Sequence, residues 1–490
     1  MTKRNRNIAI IVGAVWAVVI LFFVIPPVYN MYHPTGLEYK DNGDGTCTIT
    51  GCDYDTKVGI KHLNIPRKVN GLIVTAIGDA AFENYSNIGK ITMPDSVLTI
   101  GNSAFSGCWS SVITKLPNNV TTIGNQAFFM CYGFTITAIP DSVTSIGEMA
   151  FLDCKILGEL EISKNVTKIG DRAFQGYTLT SINVSEQNPN YSSLDGILFN
   201  KDKSVLVQAP IRPKIFDGGN YNIPDSVNTI ATGAFETCYN LRSVIIPNSV
   251  TTIGSRAFYG LSDLKSVVIP DSVTAIGSWA FNGCSSLKSM VIPNSMTKIG
   301  EGAFSFCRSF TGDLVIPENV TYIGQGAFSG CSNLTSIEVS EKNPTYSSVD
   351  GVLFSKDMSV LLQVFKGEMT SGSYTIPNGV ITIGDDAFFS CDGLKNVTIP
   401  NSVTNIGDSA FFGSNNLESL QIPESVTTIG NSAFQSCENL RQVDFLGDAP
   451  ANIGTKIFGV NAKDFRISYN PAKSGWSTPI WNGYPCYPKA

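Results

Sequence analysis

Charge is scarce in this chain. Asp, Glu, Lys and Arg make up 15% of 490 residues, against about a quarter in an ordinary globular protein. Thirty-four basic and 40 acidic residues leave a net charge of -6, and no Lys/Arg cluster lies beyond the amino terminus. The electrostatic footprint of a nucleic-acid binder is therefore missing. Histidine is nearly absent, with only His33 and His62, and none of the 12 cysteines forms a C-x-x-C pair. A zinc site loses its usual donors. The acidic stretch Asp41-Asn42-Gly43-Asp44-Gly45 lacks the ligand order and terminal Glu of an EF-hand, so calcium is not expected there. No nucleophile, acid or base falls into a catalytic constellation, and neither enzyme activity nor a cofactor is expected.

Hydrophobic residues, at 43%, are plentiful enough for a large core. The first concentration of them is an uninterrupted apolar run from Ile8 to Ile25, preceded by Lys3, Arg4 and Arg6. As a helix it would extend about 27 Å, close to the roughly 30 Å of a bilayer core. The expectation is a cytoplasmic basic tail (1–7), a transmembrane signal anchor (8–25) and a linker (26–35), with everything beyond extracytoplasmic. Secretion after signal cleavage is the alternative.

Beyond residue 36 one unit recurs. Leu264 to Cys284 reads L-K-S-V-V-I-P-D-S-V-T-A-I-G-S-W-A-F-N-G-C, and its Phe returns at Phe82, Phe105, Phe128, Phe151 and Phe174, at Phe235, Phe258, Phe281, Phe304 and Phe328, and at Phe388, Phe411 and Phe434. Within each run the spacing is 23 or 24 residues, the signature of a solenoid whose turns bury their apolar faces only against neighbours. Val267 and Ile269 alternate with Ser266 and Val268, as in a strand with one buried face. Pro270 closes that strand, because proline cannot donate to a ladder. Ile276-Gly277 reads as a second extended piece and a turn in which glycine permits positive φ. Trp279-Ala280-Phe281 is expected to form a helical or 3₁₀ turn pointing Phe281 inward.

The pattern I-P-x-S-V-T-x-I-G-x-x-A-F-x-x-C resembles the BspA-type leucine-rich repeat family of bacterial surface proteins. The resemblance spans nearly all of 65–458, with Ala231 standing where Gly is usual and Ser185 and Ser340 where Pro is usual. It implies a right-handed solenoid with a parallel sheet on one face, and attachment to host matrix or other cells. The expected fold is thus a leucine-rich repeat solenoid, β-rich with short helical or 3₁₀ turns, carrying one N-terminal transmembrane helix. Residues 36–64 read as a hairpin cap, 65–446 as the solenoid, and 447–490 as a degenerate repeat and cap.

Nine cysteines stand three residues after a repeat Phe, where other turns carry Tyr85, Tyr177 or Leu261. They read as buried free thiols. Two turns are lengthened, to 61 and 60 residues between successive Phe, by near-identical inserts near 185–223 and 340–376. Each insert reads as strand, polar turn, strand. Asp195 and Asp350 belong to equivalent D-G turns far apart in sequence and do not make an acid–base pair. Trp476 and Trp481 belong either to the carboxy-terminal cap or to a sugar-stacking site.

The middle outward position of each strand varies. It is Thr92, Lys115, Ala138, Glu161 and Asn183 in early turns and Glu338, Thr375, Thr398, Gln421 and Asp444 in late ones. Between them stand Ile245, Val268, Val291 and Val315, with Arg242, Lys265 and Lys288 alongside. An apolar patch with a polar rim marks a contact surface, and these seven residues form the candidate binding site. The function expected is binding of an unidentified protein or glycan by the solenoid face, as in adhesion. A structural spacer or self-associating envelope protein is the alternative. A carbohydrate-active enzyme would need a carboxylate pair that the sequence does not nominate.

Overall fold

The computed structural model describes residues 36–52, 60–136, 138–156, 158–216, 218–365 and 372–489. They fall into two compact units, one made of the described residues within 1–202 with 208–214, the other of those within 203–207 and 215–490. Each is a β-solenoid of leucine-rich repeat type, in which every coil adds short strands to ladders shared with its neighbours.

The tightest ladder is built from the Thr-x-Ile-Gly part of the repeat. Two-residue strands such as Thr252–Ile253, Ala275–Ile276 and Lys298–Ile299 pair in parallel, isoleucine on isoleucine. Gly277 N–H donates to the Ile253 carbonyl at 2.8 Å. The glycine is required by close approach: a Cβ on Gly277 would lie 2.3 Å from the Ser255 nitrogen. Its φ is not positive, contrary to the sequence-based expectation. Ala231 is tolerated because the strand before it is Val205–Gln208 of the first insert, to whose Leu206 carbonyl the Ala231 N–H still donates at 3.0 Å.

A second, patchier set of parallel strands comes from the segment before the proline. Asn220–Asn222, Ser243–Ile245 and Ser266–Val268 form one such sheet, and Gly312–Ile316 with Leu334–Val339 another. The expected parallel sheet on one face is therefore half of the arrangement: a second set of ladders runs beside it, broken into pieces of two, three or five strands.

The Ala-Phe segments are not helical. Among the described residues the one helix is the 3₁₀ turn Lys214–Phe216, outside any Ala-Phe segment. Instead, alternate peptides point between coils and within them. Trp279, Phe281 and Gly283 donate forward to the carbonyls of Glu301, Ala303 and Ser305 at 2.7–2.8 Å, while Ala280, Asn282 and Cys284 close i→i−3 turns. This alternation needs positive φ at Trp279 (63°) and Gly283 (73°), and Ser103, Gln126 and Ser409 repeat it. A non-glycine residue there costs roughly 1–2 kcal/mol, offset by inter-coil hydrogen bonds that a 3₁₀ turn would forgo.

Nor do the described residues contain any helix long and apolar enough to cross a membrane. The expectation of a transmembrane helix is thus without support, and the segment assigned to it, 8–25, lies outside the described residues.

The phenylalanines stack as the repeat demands. Ring centroids are 4.9 Å apart for Phe258 and Phe281 and 5.4 Å for Phe281 and Phe304, with planes within 9° of parallel. Both Phe281 and Cys284 are fully buried. Seven of the repeat cysteines donate their thiol to the preceding coil's Phe carbonyl, as Cys284 does to Phe258 at 3.2 Å. Ser414 does the same to Phe388 through its hydroxyl. All 12 cysteines are free and buried. Burial pushes the Cys437 thiol up to about 12 and raises those of Cys154, Cys238, Cys284 and Cys391 as well, which keeps these thiols protonated and unreactive.

Ends and inserts finish the core. Leu37–Asp41 and Thr46–Cys52 make an antiparallel hairpin whose second strand pairs in parallel with Leu72–Ile77. In the second insert Tyr346–Val349, Val352–Ser355 and Val360–Gln363 form an antiparallel meander, and the last strand also pairs in parallel with Thr382–Ile383. The insert therefore supplies a coil of its own. Val364 takes the phenylalanine's backbone role, donating to the Ala387 carbonyl at 2.9 Å and accepting from Cys391. At the carboxy terminus Trp476 stacks on Tyr469 and packs against Phe445 and Trp481. Its indole N–H donates to the Gly447 carbonyl at 3.1 Å. Trp481 is buried. Trp481 belongs to the buried core and Trp476 packs half-buried against it.

Candidate functional site

The seven predicted residues lie within the second unit and share one surface. Parallel register sets Asn222 beside Ile245, Ile245 beside Val268, and Val315 beside Glu338. Because a strand's side chains alternate, burying Val244 and Val267 obliges Ile245 and Val268 to face solvent. The apolar row is strongly exposed, at 57% for Ile245, 70% for Val268, 81% for Val291 and 53% for Val315. Polar Asn222 and Glu338 bound it at either end. Residues 288–292 carry no assigned strand, so Val291, the most exposed of the four, sits where the ladder is interrupted.

Three residues earlier on the first three of these coils stand Arg242, Lys265 and Lys288, all exposed, and on the fourth Gly312. Their backbones are stacked: Lys265 N–H donates to the Arg242 carbonyl at 2.8 Å, and Thr311 N–H to the Lys288 carbonyl at 2.9 Å. The Arg242 stem covers Gly219, where an added Cβ would come within 2.8 Å of it. Among the described residues none of the three cations has an ion pair. A line of serines runs between the basic and apolar rows, Ser266 donating to Ser243 at 3.3 Å.

Sequence reasoning missed the opposite flank. Immediately after the strand-closing prolines stand Asn248, Asp271, Asn294 and Glu318, all exposed. The P-x dipeptide recurs on all four of these coils, at Pro247, Pro270, Pro293 and Pro317, and was signal enough to find them. The surface is thus striped: basic, serine, apolar, then amide and acidic.

A cavity of about 80 Å³ lies beside the second insert, lined by Phe328, Cys331, Val364, Phe365, Phe389 and Cys391 among others. It opens where Val364 replaces the usual phenylalanine, which makes it a packing gap. Burial pushes the Cys391 thiol to about 12. Asp195 and Asp350 occupy the equivalent D-G turns of the two inserts, each with positive φ. Among the described residues no cluster of three or more His, Cys, Asp or Glu is placed to hold a metal ion.

The model of the BspA type leucine-rich repeat region matches in six copies, over residues 75–204, 217–335, 307–356 and 359–467. The chain belongs to this family. Similar solved structures are bacterial repeat proteins. A leucine-rich repeat protein from Bacteroides ovatus is 23% identical over 89% of this chain and 94% of its own, with a TM-score of 0.41. One from Eubacterium ventriosum is 25% identical over 82% and 93%, with a TM-score of 0.47. The pneumococcal vaccine antigen PcpA is 20% identical over 75% and 97%, with a TM-score of 0.51, a likeness of fold. No curated protein matches the chain.

Proposed function

We propose that this protein is a non-catalytic binding module that holds a protein partner on the face carrying Ile245, Val268, Val291 and Val315. The observation that carries the reading is the exposure of four β-branched side chains on successive coils, in a family whose repeat requires only the inward positions to be apolar. Covering four such side chains offers roughly 4–8 kcal/mol before ordering costs. Those costs are small on the protein's side, because the row is held by stacked backbone. A protein is favoured over a glycan because the row has no aromatic platform for a sugar ring.

The module acts outside the cytoplasm in this reading, exported by means of its basic and apolar first 25 residues. Adhesion to matrix or to other cells is the role that fits such a face. The mass of the mature amino terminus and protease accessibility on intact cells test the placement.

The binding is tested with a panel of purified matrix proteins and polysaccharides and with the protein itself, comparing the parent with Val268→Asp/Val291→Asp. The expected result is a protein ligand whose affinity falls more than tenfold while the unfolding midpoint holds. A polysaccharide ligand, or a self-association lost in the variant, would replace the partner class. Unaltered binding by a folded variant would remove the face from the function.

A further inference from the structure

Resting on that reading, the geometry points to the kind of segment this face takes: we infer that it docks an amphipathic α-helix lying along the row, with carboxylates on the edge over Arg242, Lys265 and Lys288. The argument is one of spacing and charge. Neighbouring parallel strands are about 4.8 Å apart, so the four apolar side chains recur at that interval over about 14 Å. A helix repeats its apolar stripe once per turn of about 5.4 Å and covers the same length in some ten residues. An extended segment presents one face only every ~6.7 Å and falls out of step with the row by the second contact. Helix-on-face recognition through residues at i, i+3, i+4 and i+7 is the corresponding mode.

Charge then sets the orientation of the flanks. Arg242, Lys265 and Lys288 precede Ile245, Val268 and Val291 by three residues of chain, at most about 10 Å, the first two standing just ahead of the strands Ser243–Ile245 and Ser266–Val268. A helix is about 10–12 Å across with its side chains, so its flank reaches over the cations when its apolar stripe rests on the row. Three like charges on adjacent coils repel one another, and among the described residues none has an acidic partner. The other edge faces Asn248, Asp271, Asn294 and Glu318, which accept amide or basic side chains. The partner segment is therefore polarised across its width: acidic on one edge, leucine-like along the centre, amide or basic on the other.

The test uses the full chain and four synthetic 18-residue probes. They are a helix with a Leu stripe and Glu on the matching flank, its isomer with Lys in those places, a scrambled peptide of the first composition, and an extended peptide alternating Leu and Glu. Binding by the Glu-flanked helix at least tenfold tighter than by the other three, weakening as salt rises, is expected. Arg242→Glu/Lys265→Glu/Lys288→Glu is expected to reverse the preference between the Glu and Lys isomers. Equal binding of the two isomers, tighter binding of the extended peptide, or no helix binding would overturn the inference. If in that case a ligand from the protein panel is still lost in Val268→Asp/Val291→Asp, the binding face stands and only the helix falls. If that variant loses nothing, the face itself is wrong.

Discussion

Two stretches of the second unit use the same repeat register to opposite effect. At 242–315 the outward row is Ile245, Val268, Val291, Val315, and the neighbouring charges, Arg242, Lys265 and Lys288, share one sign. At 372–444 the corresponding row is Thr375, Thr398, Gln421 and Asp444, and the neighbouring positions run Gly372, Lys395, Glu418, Arg441. Backbone hydrogen bonds set Glu418 beside Lys395 and Arg441 beside Glu418, so opposite charges alternate from coil to coil. Asp444 is also served from within the chain: Gln442 donates to it at 2.7 Å, Ser468 donates to it as well, and Lys489 pairs with it at 3.4 Å. One stretch satisfies itself. The other leaves three cations without an ion pair among the described residues and four apolar side chains facing solvent, the condition of a surface built for something else. The stacking beneath the two stretches is the same, so the difference is free of the fold.

That comparison is open to measurement. Phe281→Ala under the apolar row and Phe411→Ala under the polar row are each expected to cost about 3–5 kcal/mol, the usual range for removing a buried phenylalanine. Chemical unfolding would expose an error: a cost confined to one of the two would mean that the stretches differ in scaffold as well as in surface.

A smaller effect belongs to the start of the polar stretch. Asp386 sits half-buried before Ala387-Phe388, and burial pushes its carboxyl up to about 6, opposed by a Gln325 hydrogen bond at 3.5 Å and reinforced by Asp385, Asp408 and Glu301. A carboxyl whose folded pKa lies above its unfolded value binds more protons in the folded state. Stability therefore falls as pH rises from about 4 to about 6. Asp386→Asn, at a positive φ that asparagine accepts, is expected to remove that fall and to gain under about 1 kcal/mol at pH 7.5. Urea midpoints of parent and variant at pH 4.5 and 7.5 check it; a gap that does not change with pH would be evidence against the assignment.

The smallest effect is the most diagnostic. Lys265→Glu breaks the single-sign row and should stabilise the fold by a few tenths of a kcal/mol at low salt. Glu418→Lys creates such a row and should destabilise by a similar amount. Both differences are expected to fade at 0.5 M salt. Equal responses to the two substitutions would show that the charge patterns of the stretches are not what distinguishes them.

The coil itself was legible because its periodicity and its packing are one fact: the 23-residue return of Phe and Cys is also the column they form. The local geometry of Trp279-Ala280-Phe281 was not. A helical turn satisfies the same three residues taken alone, and only the next coil's carbonyls at Glu301, Ala303 and Ser305 make the alternating turn the better solution. Gly277 shows the same thing. Its presence could be read, but the cause was a neighbouring coil's backbone at 2.3 Å from a missing Cβ and not the residue's own φ.

The candidate face was legible in its residues and register, since outward positions follow from counting along a strand. The acidic and amide stripe at Asp271 and Glu318 was visible as well and went unread. That Arg242, Lys265 and Lys288 have no acidic partner among the described residues could not be read, because ion pairs form across coils between residues distant in sequence.

The sequence by itself determined which side chains of each coil are buried, because a residue with period 23 meets its own copy in the next coil and must suit it. Tertiary structure alone decided where the backbone's donors go, which glycines are indispensable, and which outward residues are left unanswered. Each of these depends on the coil stacked above or below.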